Sequence, residues 1–123
     1  MSKIKINSIL KTNNDVIKKE FMGIIMGNKI VYNDDFVTVT IFLKQDLIEM
    51  NRNNDSYSID FEFINNKTTK CVYNVKEQNM IIYLSVVTNK LIIDDNRFLV
   101  DYSLYQNSEK IESVLFEFEY EVI

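Results

Sequence analysis

The 123 residues, 46% apolar and 26% charged, describe a globular chain, read as a single domain spanning residues 1–123, with no apolar run near the roughly 18 residues a membrane helix needs. A net charge of −4 argues against a phosphate-binding surface, and so against a nucleic-acid partner. The absence of histidine and the single Cys71 exclude an internal disulfide, a cysteine-based zinc set and a His-activated nucleophile.

Ala, Pro and Trp are also missing, while Ile, Asn, Lys, Tyr and Phe abound. That bias follows A/T-rich codons and points to an AT-rich bacterial genome, in which Asn stands where glycine would otherwise form turns. The broken apolar stretch near the start does not read as a signal peptide, and the expected compartment is the cytoplasm.

In chain order, Ile4, Ile6 and Leu10 oppose Lys3, Lys5, Asn7 and Lys11, the period of a strand with one wet face. Asp15–Met26 is ambiguous. Ile17, Phe21, Ile24 and Ile25 fit a helix capped by Asp15 as well as they fit a strand. Gly23 and Gly27-Asn28 suit a hairpin into Lys29–Asn33. Asn33-Asp34-Asp35 reads as a turn, and Phe36–Leu43 beyond it is apolar on both faces.

Past the Asn53-Asn54-Asp55 turn, Tyr57, Ile59, Phe61 and Phe63 share one face of a strand. Asn65-Asn66 marks the next turn, and Cys71 follows within an apolar strand. Met80–Val87 is again apolar on both faces, so its outer side and that of Phe36–Leu43 call for a cover, either another part of the chain or a second subunit in a homodimer. After Asp94-Asp95-Asn96, Phe98, Val100, Tyr102 and Leu104 alternate with polar residues. Asn107-Ser108 precedes the last strand.

That strand ends LFEFEYEVI, with Phe116, Phe118, Tyr120 and Val122 expected inward and Glu117, Glu119 and Glu121 outward. Alternate residues lie about 6.8 Å apart, too far for these carboxylates to chelate one ion. Residues 1–30 carry six lysines against two acids, and residues 91–123 carry eight acids against two bases. Pairing of the first and last strands would bring Lys3 and Lys5 beside the acidic row and shut a barrel. Many short strands joined by tight turns indicate a barrel or a sandwich.

The order of features resembles the YwiB-like family, small bacterial β-barrels of unknown function. The resemblance rests on KIKINSIL, on FMGIIMGNKIVYND with its glycine inside the second strand, on TVTIFLKQDLIEMNRNN, and on the stretch from VVTNKLIIDD to the end. Arg52 falls at a family arginine, and Tyr102 at a tyrosine before the long last strand. Asn53-Asn54 and KEQNM stand where the family carries glycine or proline turns. The resemblance implies an all-β fold, a single antiparallel calycin-like (lipocalin-like) barrel of about eight to ten strands, with residues 15–26 a strand. It implies no established activity and no cofactor.

A barrel of this size either fills its interior with side chains or holds one small ligand. The aromatic set Phe61, Phe63, Phe98, Tyr102, Phe116, Phe118 and Tyr120 is therefore either core or the lining of a site for a small, mostly apolar ligand. Arg52 and Arg97 are the two guanidinium groups among twelve lysines, and a guanidinium fork suits a carboxylate or phosphate. Arg52 is the better candidate for an anionic ligand end, the alternative being an ion pair. Asp34-Asp35 and Asp94-Asp95 lack calcium-loop spacing, so no metal residues are assigned. No catalytic residues are assigned either, and the chain is expected not to be an enzyme.

Overall fold

The computed structural model describes residues 1–123. Ten strands follow one another: β1 Ser2–Lys11, β2 Val16–Met26, β3 Lys29–Asp34, β4 Val37–Lys44, β5 Leu47–Asn53, β6 Tyr57–Ile64, β7 Thr68–Val75, β8 Met80–Asp94, β9 Arg97–Gln106 and β10 Glu109–Val122. Each pairs antiparallel with its neighbour in sequence, and β1 pairs with β10, so the sheet closes. This is an all-β, up-and-down barrel, consistent with a calycin-like shape. Its one helical element is a single 3-10 turn, Lys76–Gln78, and no helix is long and apolar enough to cross a membrane.

The turns work as the Asn- and Asp-rich punctuation suggests. Asp35, Asp46, Asn66, Asn79, Asn96, Asn107 and Ser108 have positive φ, as does Gly27. Asn and Asp reach this region at lower cost than other side chains, and they carry most of the tight reversals. Asn79 takes the left-handed position in the KEQNM segment. In the Asn53-Asn54 turn, Asn54 Oδ1 accepts hydrogen bonds from the Ser56 and Tyr57 amides at 2.8 and 2.9 Å.

The ambiguous segment 15–26 is strand. Asp15 caps no helix, and β2 pairs with β1 from Ser2↔Ile25 to Lys11↔Val16. A ten-residue backbone ladder outweighs the local helical spacing. The expected seam is also present. In the β1–β10 pair Lys5 faces Glu121, while Glu119 and Glu117 face Asn7 and Ile9. The backbone closes the barrel here, reinforced by the Ile123 amide donating to the Lys3 carbonyl at 3.1 Å. Val122, expected inward, lies beyond the core and is exposed.

The two runs read as apolar on both faces differ from each other. Phe36 is in the turn before β4, 94% exposed, and β4 then alternates, with Val39 and Ile41 buried. Its outer Phe42 is half-buried, with the Lys29 ammonium 5.8 Å from the ring centroid. In β8, by contrast, Met80, Ile81 and Tyr83 remain exposed. A register shift between Thr88 and Lys90 then lets Leu91 and Ile93 pack against the core although their parity differs from that of Val86 and Thr88.

The interior is packed by Ile4, Ile6, Ile30, Val39, Ile41, Ile48, Val86 and Val100 together with Phe63, Phe98 and Phe118. Burial of each such side chain stabilises the fold by about 1.5–3 kcal/mol before entropy is counted. Phe98 and Phe118 stack with centroids 4.9 Å apart, and Phe63 lies 4.8 Å from Tyr102.

Candidate functional site

Ten strands enclose more space than eight, and the aromatic core fills most of it. What it leaves open follows from strand pairing. β2 and β3 are joined only from Gly23↔Tyr32 to Met26↔Lys29, so Val16–Met22 parts from the rest of the barrel on that side. Behind the parted stretch lies a cavity of about 280 Å³.

Its walls are mostly apolar: Leu10, Ile17, Phe21, Met50, Phe61 and Phe116, with the phenols of Tyr32 and Tyr102 and the Ser8 hydroxyl among them. Three charged side chains, Lys19, Asp34 and Arg52, complete the lining. Lys19 and Ile17 are solvent-exposed and mark the side on which the cavity meets water.

The charged residues form one cluster. Arg52 from β5 donates to Asp34 Oδ2 at 3.0 Å, and Lys19 from β2 donates to Asp34 Oδ1 at 2.8 Å. The Lys19–Asp34 bond crosses the parting between β2 and β3. Phe21 and Tyr32 cross the same gap as a tilted ring pair, centroids 4.7 Å apart. Asp35 also approaches Lys19, at 4.0 Å, but its side chain is 86% exposed.

These contacts set the ionisation of the cluster. Burial alone would raise the Asp34 carboxyl, but the hydrogen bonds and charges of Lys19 and Arg52 prevail and hold it below its ordinary range. The hydrogen bond to Asp34 raises Lys19 in turn. Burial pushes the Tyr32 phenol up to about 12 and Tyr102 higher still. At neutral pH the cavity therefore carries two cations, one carboxylate and neutral phenols.

Of the residues singled out from the sequence, Arg52, Phe61, Tyr102 and Phe116 come together on this cavity. Phe63, Phe98 and Phe118 are buried in the packed core. Tyr120 lies toward the opposite end, where burial and then the charge of Asp95 raise its pKa. Arg97 is the exposed first residue of β9, 4.0 Å from Asp94. Cys71 is buried, its thiol pushed up to about 11 by desolvation, so thiolate chemistry has no support there. No group of three or more His, Cys, Asp or Glu residues is arranged to hold a metal ion.

Sequence reasoning missed Lys19 and Asp34. The signal was parity: Lys19 precedes the inward set Phe21, Gly23 and Ile25 at a spacing of two, and Asp34 continues Ile30 and Tyr32.

The class is thus a closed ten-stranded antiparallel barrel with one amphipathic cavity opening beside an incompletely paired strand. The chain belongs to the family described as a domain of unknown function, DUF1934, which matches residues 3–117. This agrees with the YwiB-like character of its strand order. Among solved structures it is similar to the ywiB protein from Bacillus subtilis, with a TM-score of 0.58 and 12% identity over 95% of this chain and 89% of that one. At that identity the likeness carries the fold alone. No curated protein matches.

Proposed function

We propose that this chain is a non-enzymatic, cytoplasmic binding protein whose barrel takes up one small, mostly apolar ligand, with the ligand's polar end beside Arg52. The observation that carries the reading is the cavity itself: about 280 Å³, walled largely by apolar side chains, with its charged residues gathered in one cluster rather than dispersed. The absence of histidine and the inert setting of Cys71 favour binding over catalysis.

A second reading, self-association, is favoured by the exposed Met80, Ile81 and Tyr83 on β8. Native mass spectrometry of protein purified from cells separates the two. The first predicts a monomer carrying a small-molecule adduct that denaturing solvent releases, and apo protein that binds added 1-octanol. A bare monomer that also ignores octanol and its anionic analogues would overturn it. A bare dimer dispersed by Tyr83→Asp would establish the second.

A further inference from the structure

The charge on the cavity is not balanced. Lys19 and Arg52 contribute two positive charges, and both hydrogen-bond to the same carboxylate, Asp34. Asp34 is the more enclosed of the three, its side chain 13% exposed against 28% for Arg52 and 42% for Lys19. Asp35 is too exposed to offset the excess, because water and salt screen it. One positive charge is left over at the mouth of an apolar-walled hollow, in a chain whose overall charge is −4. The phenols of Tyr32 and Tyr102 and the hydroxyl of Ser8, on the same lining, can donate hydrogen bonds to an anion without adding charge.

Resting on the binding reading above, we propose that the ligand is an amphipathic monoanion of the alkyl carboxylate class, and that Asp34 sets this charge preference. A monoanion brings the cluster to neutrality, whereas a dianion overshoots it and a neutral head group leaves a cation unmatched. The cavity volume of about 280 Å³ accommodates on the order of ten non-hydrogen atoms, if each occupies roughly the share of a water in the liquid. Octanoate is a probe of that size. Asp34 occupies one coordination position on each cation, so it also competes with the ligand for both. Its loss should tighten the binding of anions rather than weaken it.

The test is isothermal titration with octanoate, 1-octanol and octyl phosphate, which share a chain and differ in head-group charge. Wild-type protein is expected to bind octanoate about tenfold more tightly than octanol, with octyl phosphate no tighter than octanoate. In Asp34→Asn both anions should gain, octyl phosphate overtaking octanoate, while octanol stays within about twofold. Lys19→Met removes one exposed cation and its bond to Asp34 while leaving the Asp34–Arg52 bond in place. It should weaken octanoate by roughly tenfold and leave octanol unmoved.

Octanol binding with no advantage for octanoate would overturn the proposal and leave the binding reading standing. So would an Asp34→Asn variant that still takes octanol but gains nothing for either anion. If none of the three probes binds wild-type protein, the binding reading itself fails.

Discussion

Gly23 lies where β2 turns from the parted stretch into the part paired with β3. A Cβ built there would meet Ile6 Cδ1 and the Val31 carbonyl oxygen at 2.9 Å, and Tyr32 Cβ at 3.1 Å. The first contact involves the far end of a flexible side chain, but the second is backbone and cannot turn away. The missing side chain therefore lets β1, β2 and β3 approach closely enough for Tyr32 to reach Phe21. Gly23→Ala should destabilise the fold by about 1–3 kcal/mol, seen as a fall in Tm of roughly 4–12 °C in a thermal melt. An unchanged melt would mean that the strands yield without cost. From sequence alone this glycine reads as a mark of a hairpin or as an awkward residue in a helix. Neither local pattern reveals that another strand's backbone lies against it, because that contact depends on the sheet having formed.

At the scale of elements, the hairpins show how local signals and pairing divide the work. β9 and β10 are joined by Asn107-Ser108, with φ of 51° and 69°. Two consecutive positive φ values are the requirement of a tight hairpin turn that matches strand twist. Asn meets it readily, whereas Ser gains nothing to offset the steric cost of its Cβ. Ser108→Gly should therefore raise stability by about 0.5–1 kcal/mol, measured as an increased urea midpoint with unchanged slope. A lower midpoint would show that the serine side chain supports the turn. Such turns were legible because their residue types are matched to their backbone angles. The inward path of β2 was less so, since Lys18-Lys19-Glu20 interrupts its apolar alternation. Asp34 was hidden similarly: beside Asn33 and Asp35 it reads as a turn residue, yet it ends β3 facing inward to hold Lys19 and Arg52. The lysines on the unpaired stretch of β2 also serve as negative signals, since charge on an open strand edge discourages another chain from pairing there.

For the whole molecule, closure and cavity place several proton-bearing groups in the interior, and their combined effect on stability has a definite sign. The seam was readable from the opposed charges of the chain ends, but the ion pairs of the structure lie elsewhere: Lys5 faces Glu121 without forming one. Charge helped identify the register, while backbone pairing and apolar packing hold it. The interior is expected to resist acid and yield to base. Asp34 has a folded pKa lowered from 3.8, so the stability it contributes is present above that value and lost only as pH falls through the lowered one. Tyr32 and Cys71 behave oppositely. Their folded values are raised by burial, from 10.0 to about 12 and from 9.0 to about 11, so the folded state keeps protons that the unfolded chain has released. The stability linked to each is intact below its unfolded value and lost as pH rises through the folded one. A shift of this size corresponds to about 2–3 kcal/mol per group, and Tyr102 acts in the same direction. Urea midpoints should therefore be level from about pH 6 to about pH 8 as far as these groups are concerned, then fall from about pH 9 upward. In Cys71→Ala the onset should move to about pH 10, because the thiol is the first of the set to titrate when unfolded. A midpoint that holds through about pH 11 would show that water reaches these side chains and that the barrel interior is not closed around them.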